Sequence, residues 1–166
     1  MTITGEVGAW SARRDAAAAV VAKGLTKMYG QGDAAVHALR GVDVSFATSA
    51  FTAIMGPSGS GKSTLMHCLA GLDTVTGGQV HIGEVELTGL GDKQLTLLRR
   101  ERIGFIFQAF NLLPTLTAEQ NIRLPLEIAG RQADQDLFDR VVDTVGLRDR
   151  LGHRPTELSG GQQQRV

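Results

Sequence analysis

Nine consecutive residues carry the chemistry: Gly56-Pro57-Ser58-Gly59-Ser60-Gly61-Lys62-Ser63-Thr64. Glycines let the backbone curl until successive N–H groups point at one anion. A helix that starts at the end of such a turn adds its positive pole to the same spot. Lys62 then reaches the β- and γ-phosphates of a nucleotide, and the Ser63 hydroxyl can take a place on Mg²⁺. With this chain's own residue frequencies, the pattern G-x-x-x-x-G-K-[ST] would arise by chance about 0.01 times. The reading is a phosphate-binding loop for a nucleoside triphosphate.

Such a loop needs a strand before it and a helix after it. The apolar run Phe51-Thr52-Ala53-Ile54-Met55 predicts a buried strand, and Leu65-Met66-His67-Cys68-Leu69-Ala70 predicts the helix, ending near Gly71. Upstream, Val20, Val21, Leu25 and Met28 lead to Tyr29 in a β-like pattern, and residues 30–33 are a turn cluster. Residues 42–46 alternate as a second strand with one covered face. Residues 77–82 and 84–87 predict two further strands, and residues 90–102 a helix with a basic end. The continuous apolar run at residues 103–108 predicts a central parallel strand.

Beyond Gln108 the pattern is helical. Thr117 and Gln120 predict a capping box for a helix that reaches toward Gly130, kinked at Pro125. Residues 134–146 predict an amphipathic helix whose stripe is Leu137, Phe138, Val141, Val142 and Val145. Ser159 and Gln162 predict a second capping box. Residues 1–18 carry few large apolar side chains and are expected to be a mobile tail.

Composition narrows the class. A chain of 166 residues has room for one domain with a real core. It is 42% hydrophobic and balanced at 17 basic against 17 acidic residues, which argues against a broad nucleic-acid surface. The cluster Arg99-Arg100-Glu101-Arg102 reads as a solvated helix face. One cysteine, Cys68, excludes an internal disulfide and is expected to be a buried, unreactive thiol. The histidines make no metal-ligand spacing, and no stretch has transmembrane length. The short alanine-rich run at residues 16–22 lacks the flanks of a signal peptide.

A second motif gives the phosphate loop a family. Leu158-Ser159-Gly160-Gly161-Gln162 matches the ABC signature and lies at the family's usual distance beyond the loop. From about Val20 onward the chain resembles the ATP-binding subunit of an ABC transporter. The wording of residues 107–117, Phe107-Gln108-Ala109-Phe110-Asn111-Leu112-Leu113-Pro114-Thr115-Leu116-Thr117, is most similar to the branch serving lipoprotein-release and macrolide-efflux exporters. The resemblance implies an α/β fold of the P-loop NTPase class. It would have a parallel core sheet, an antiparallel β subdomain and a helical signature subdomain. The expected division is an ATP-binding domain over residues 19–166, with the β subdomain and phosphate-loop core at 19–108 and the helical part at 109–166.

The roles implied are those of the family. Tyr29, otherwise simple edge packing, would stack on adenine. Residues 56–64 would bind the phosphates of ATP, with Lys62 as the catalytic cation and Ser63 on Mg²⁺. Gln108, otherwise a polar strand end, would contact Mg²⁺ and the attacking water. Ser159, Gly160, Gly161 and Gln162 would face the ATP of a second ATP-binding subunit, head to tail, and capping can coexist with that role. Transmembrane permease subunits would be the other partners, at the cytoplasmic face of the inner membrane. Gln120 departs from the family, which often has Glu there.

A further departure is at the end of the chain. No apolar run here ends in Asp-Glu, so the Walker B aspartate, the catalytic glutamate and the later switch histidine are absent, and His153 precedes the signature. The expectation is an N-terminal portion of a longer protein, truncated before the Walker B strand. Two alternatives stay open: nucleotide binding without turnover, and a soluble ABC protein of DNA repair or translation.

Overall fold

The computed structural model describes residues 18–166. The expected tail therefore lies outside the described residues, except for Ala18, which opens the first strand. The described residues divide into two compact units, one ending at Arg99 and the other Arg100–Val166.

The first unit is built on a four-stranded antiparallel sheet in the order β2-β1-β3-β4. Its strands are β1 (Ala18–Tyr29), β2 (Val36–Ala47), β3 (Gly77–Ile82) and β4 (Val85–Glu86). β1 pairs with β2 on one edge, with Leu25 opposite Val42 and Tyr29 opposite Val36. On its other edge it pairs with β3, with Ala22 opposite Val80 and Thr26 opposite Gly77. Both ladders shift register between Ala22 and Thr26, around Gly24. Gly78 sits at φ +89° against that irregularity, and a Cβ there would fall 2.5 Å from the Gly24 carbonyl oxygen. Only glycine lets the two backbones approach so closely.

Helix α1 (Lys62–Leu69) packs on the sheet, burying Leu65, Cys68 and Leu69. With Ala22, Leu25, Leu39, Val80 and Leu87 these side chains make the core of the unit. Leu25 and Val80 are completely buried, each contributing about 1.5–3 kcal/mol of apolar burial. Helix α2 (Asp92–Arg102) follows, with Leu98 buried and the Arg99 guanidinium donating to the Gly71 carbonyl.

The second unit holds α3 (Ala118–Ile128), α4 (Gln135–Thr144) and α5 (Gly160–Arg165), with single 3₁₀ turns at Arg148–Arg150 and Pro155–Glu157. Its core is Phe138, Val142 and Leu147, with Ile122, Val145, Leu151 and Val166 packed around them. Both predicted capping boxes form, Thr117 with Gln120 and Ser159 with Gln162. Pro125 lies inside α3 as expected. Asn121 bonds Leu113 with both ends of its amide and so fixes the loop before α3.

Three expectations need correction. Residues 51–55 are not a buried strand: Phe51 is fully exposed and Met55 nearly so. Residues 103–108 are also outside any strand, with Ile106 exposed. A strand exists only through a ladder partner, and among the described residues no strand runs beside either segment, so the observed sheet is wholly antiparallel. The third concerns α4, where Leu137 and Val141 are half-exposed while Phe138 and Val142 are buried. The apolar stripe is wider than the contact it makes.

Candidate nucleotide site

The phosphate loop leads straight into α1. Gly56, Gly59 and Gly61 all have positive φ, so the backbone curls as the motif requires. Gly61 is the N-cap of α1 in the left-handed conformation, and its carbonyl accepts the first helical bond from Leu65 N. A Cβ on Gly61 would lie 2.6 Å from the Ala38 carbonyl oxygen of β2. The loop is therefore seated directly on the sheet.

Its polar groups are arranged for an anion. The first N–H groups of any helix lack intrahelical acceptors, and no side chain caps α1. The Ser60 hydroxyl is buried and has no hydrogen-bond partner. Such an oxygen costs about 1–3 kcal/mol while unpaired, a cost that a phosphate oxygen placed against it would remove. Lys62 Nζ donates to the carbonyls of Gly56 at 2.9 Å and Pro57 at 2.8 Å. The ammonium thus lies across the mouth of the loop, with a third proton left to offer. These features fit a polyphosphate. For Mg²⁺ the loop offers only hydroxyl oxygens, Ser63 among them, and no carboxylate. Among the described residues no cluster of three carboxylate, histidine or cysteine groups could hold a metal by itself. A magnesium ion here would draw its remaining ligands from phosphate and water, which suits its chemistry.

Beside the loop, Tyr29 ends β1 and is 42% exposed. Its hydroxyl donates to Asp73 Oδ2 at 2.6 Å. The other carboxylate oxygen accepts from Lys27 Nζ at 2.7 Å, and the same ammonium also donates to the Thr74 carbonyl at 2.5 Å and lies 4.8 Å from the Tyr29 ring centroid. Lys27 is buried, which its pairing with Asp73 permits. The hydrogen bond to Asp73, followed by burial, pushes the Tyr29 phenol above its usual pKa, and the nearby Thr64 hydroxyl acts in the opposite sense. Burial opposes ionisation of Asp73, but the bonds from Lys27 and Tyr29 outweigh it and hold the carboxyl below its usual range. Cys68 lies buried in α1, where desolvation raises its thiol pKa, as an inert cysteine requires.

The structure thus gathers Tyr29 and the loop residues, Gly56, Pro57, Ser58, Gly59, Ser60, Gly61, Lys62, Ser63 and Thr64, in the first unit. Gln108 and the signature residues Ser159, Gly160, Gly161 and Gln162 lie in the second. Gln108 is exposed at a bend, outside any helix or strand. At the signature, Ser159 Oγ accepts from Gln162 N at 3.3 Å and Gln162 Oε1 accepts from Ser159 N at 2.8 Å. Gln163 anchors the helix start from below, donating to the Pro155 and Leu158 carbonyls. Sequence reasoning passed over Lys27 and Asp73. The available signal was Lys27 itself, two residues from Leu25 on the covered face of β1, where a lone charge demands a partner.

Comparison with known proteins identifies the family. The family model described as ABC transporter matches residues 39–166. The macrolide export ATP-binding/permease protein MacB of Bdellovibrio bacteriovorus is 47% identical over 87% of this chain and 22% of its own length. The lipoprotein-releasing system ATP-binding protein LolD of Legionella pneumophila is 44% identical over 86% of this chain and 63% of its own. The chain thus spans between about a fifth and under two thirds of these curated relatives. Among solved structures, a dimeric post-hydrolysis state of the ATP-binding cassette MJ0796, bound to ADP and Pi, superposes with a TM-score of 0.78. It is 40% identical, covering 88% of this chain and 66% of that one. Among the described residues no helix is long and apolar enough to cross a membrane. With a phosphate loop at residues 56–64, the signature at residues 158–162 and a family match over most of its length, the chain belongs to the ABC transporter ATP-binding family.

Proposed function

We propose that this chain binds MgATP at residues 56–64 and, in the whole protein, hydrolyses it to power an ABC transporter of the exporter or lipoprotein-release type. The observation that carries the reading is the loop's set of donors: an uncapped helix start, a buried unpartnered Ser60 hydroxyl, and the Lys62 ammonium held by the Gly56 and Pro57 carbonyls with one proton still to offer. Tyr29 supplies a face for adenine, Lys62 and the loop amides stabilise phosphate charge, and the Ser63 hydroxyl takes a place on Mg²⁺. The signature at Ser159, Gly160, Gly161 and Gln162 closes over the ATP of a second subunit, head to tail. ATP binding brings the two subunits together, hydrolysis releases them, and transmembrane permease subunits turn that cycle into transport. The resemblance to MacB and LolD, and the dimeric ADP-bound relative, support this reading.

A second reading is nucleotide binding at the same loop without turnover. Calorimetric titration with MgATP, paired with a phosphate-release assay, separates the two. The first reading expects saturable binding and phosphate release that both disappear in Lys62→Ala. Binding without release leaves the second reading. No binding at all overturns both.

A further inference from the structure

The end of β1 is tied to the segment after α1 by more bonds than strand pairing alone provides. Met28 N donates to Thr76 Oγ1 at 2.9 Å, and Thr76 N to the Thr26 carbonyl at 2.9 Å. Within that frame one carboxylate serves two donors. Asp73 takes the Lys27 ammonium on Oδ1 and the Tyr29 hydroxyl on Oδ2. The ammonium in turn lies over the tyrosine ring. The ring is therefore restrained at its edge by a charge-assisted bond and on one face by a cation. Tyr29 is 42% exposed, which leaves part of its surface for a ligand.

A stacking surface contributes affinity in proportion to how little freedom it loses when the ligand arrives. A free tyrosine at a strand end would rotate about two torsions and lose that freedom on stacking. Here the loss is already met by the fold.

We propose that Asp73 is a positioning residue for nucleobase binding: with Lys27 it fixes the Tyr29 ring so that the face away from Lys27 is presented to a purine. The proposal rests on the reading of Tyr29 as the adenine platform, and the experiment separates the two. Lys27 and Asp73 touch no phosphate in this scheme. Their effect falls on the base alone.

The test compares MgATP with magnesium inorganic triphosphate, which has no base, as ligands of the full chain in calorimetric titrations. Tyr29→Phe removes the hydroxyl while keeping both the ring and the Lys27–Asp73 pair. It is expected to weaken MgATP about three- to tenfold and to leave triphosphate affinity unchanged. Asp73→Asn is expected to do the same, and the double variant to lose no more than either single one. Tyr29 is the only tyrosine in the chain, so a Cζ-¹³C label gives one NMR resonance. Asp73→Asn should shift it in the free protein and shrink its displacement on ADP binding. A Tyr29→Phe protein that binds MgATP as tightly as the parent overturns the proposal, even if Asp73→Asn fails to fold. Equal losses for MgATP and triphosphate also overturn it, because they mark a general structural role. Tyr29→Ala tells the two readings apart. If it binds MgATP normally, the adenine platform itself is refuted. If it binds weakly while Tyr29→Phe is normal, only the positioning role is refuted.

Discussion

The chain contains two glycine-rich helix starts, at the phosphate loop and at the signature, and they are finished in opposite ways. At α1 the N-cap is Gly61, with no side chain to accept from the first turn, and the Ser60 hydroxyl is buried without a partner. At α5 the N-cap is Ser159, and a reciprocal box with Gln162 satisfies donors at both ends. A helix start without a cap is a cost to the free protein and an opportunity for an anion. The first start has no side-chain acceptor at all; the second has two of its donors, Ser159 N and Gln162 N, met by the box.

Substitutions can break this contrast or sharpen it. The largest effect is expected from Gly61→Ala, whose Cβ would meet the Ala38 carbonyl at 2.6 Å in a left-handed backbone. It should lower stability by about 1–3 kcal/mol in thermal unfolding and weaken MgATP binding as the loop shifts. A protein with unchanged melting and binding would mean that the loop is not seated on β2. Next comes Ser60→Ala. Removing a buried unpaired hydroxyl should leave the free protein as stable or up to about 1 kcal/mol more stable, while MgATP affinity falls about tenfold. Loss of stability without loss of affinity would show that Ser60 is structural. The smallest effect is expected from Ser159→Ala, about 1 kcal/mol of stability in urea unfolding, with MgATP affinity of the isolated subunit unchanged. If affinity fell instead, the two helix starts would not be doing separate jobs.

Much of this was legible because it is local. The two capping boxes, the end of β1 at Tyr29 and the glycine turn into α1 each depend on residues within a few positions of one another. What failed depends on distant neighbours. Residues 51–55 and 103–108 have the composition of buried strands, yet composition does not provide the ladder partner that makes a strand. Leu137 and Val141 belong to an apolar stripe whose outer edge nothing covers among the residues of its unit. The link from Lys27 and Tyr29 to Asp73 spans more than forty residues and no periodicity announces it.

The strand order β2-β1-β3-β4 also implies an order of assembly. β1 and β2 are joined by a short turn, so their hairpin can form on the microsecond scale. β3 reaches the other edge of β1 only after the chain has traversed the phosphate loop and α1, and that longer closure is slower. The loop therefore lies inside a span that is clamped after the hairpin. A nascent chain paused with only its hairpin formed would hold the motif in sequence but not in shape, and nucleotide capture would report the docking of β3.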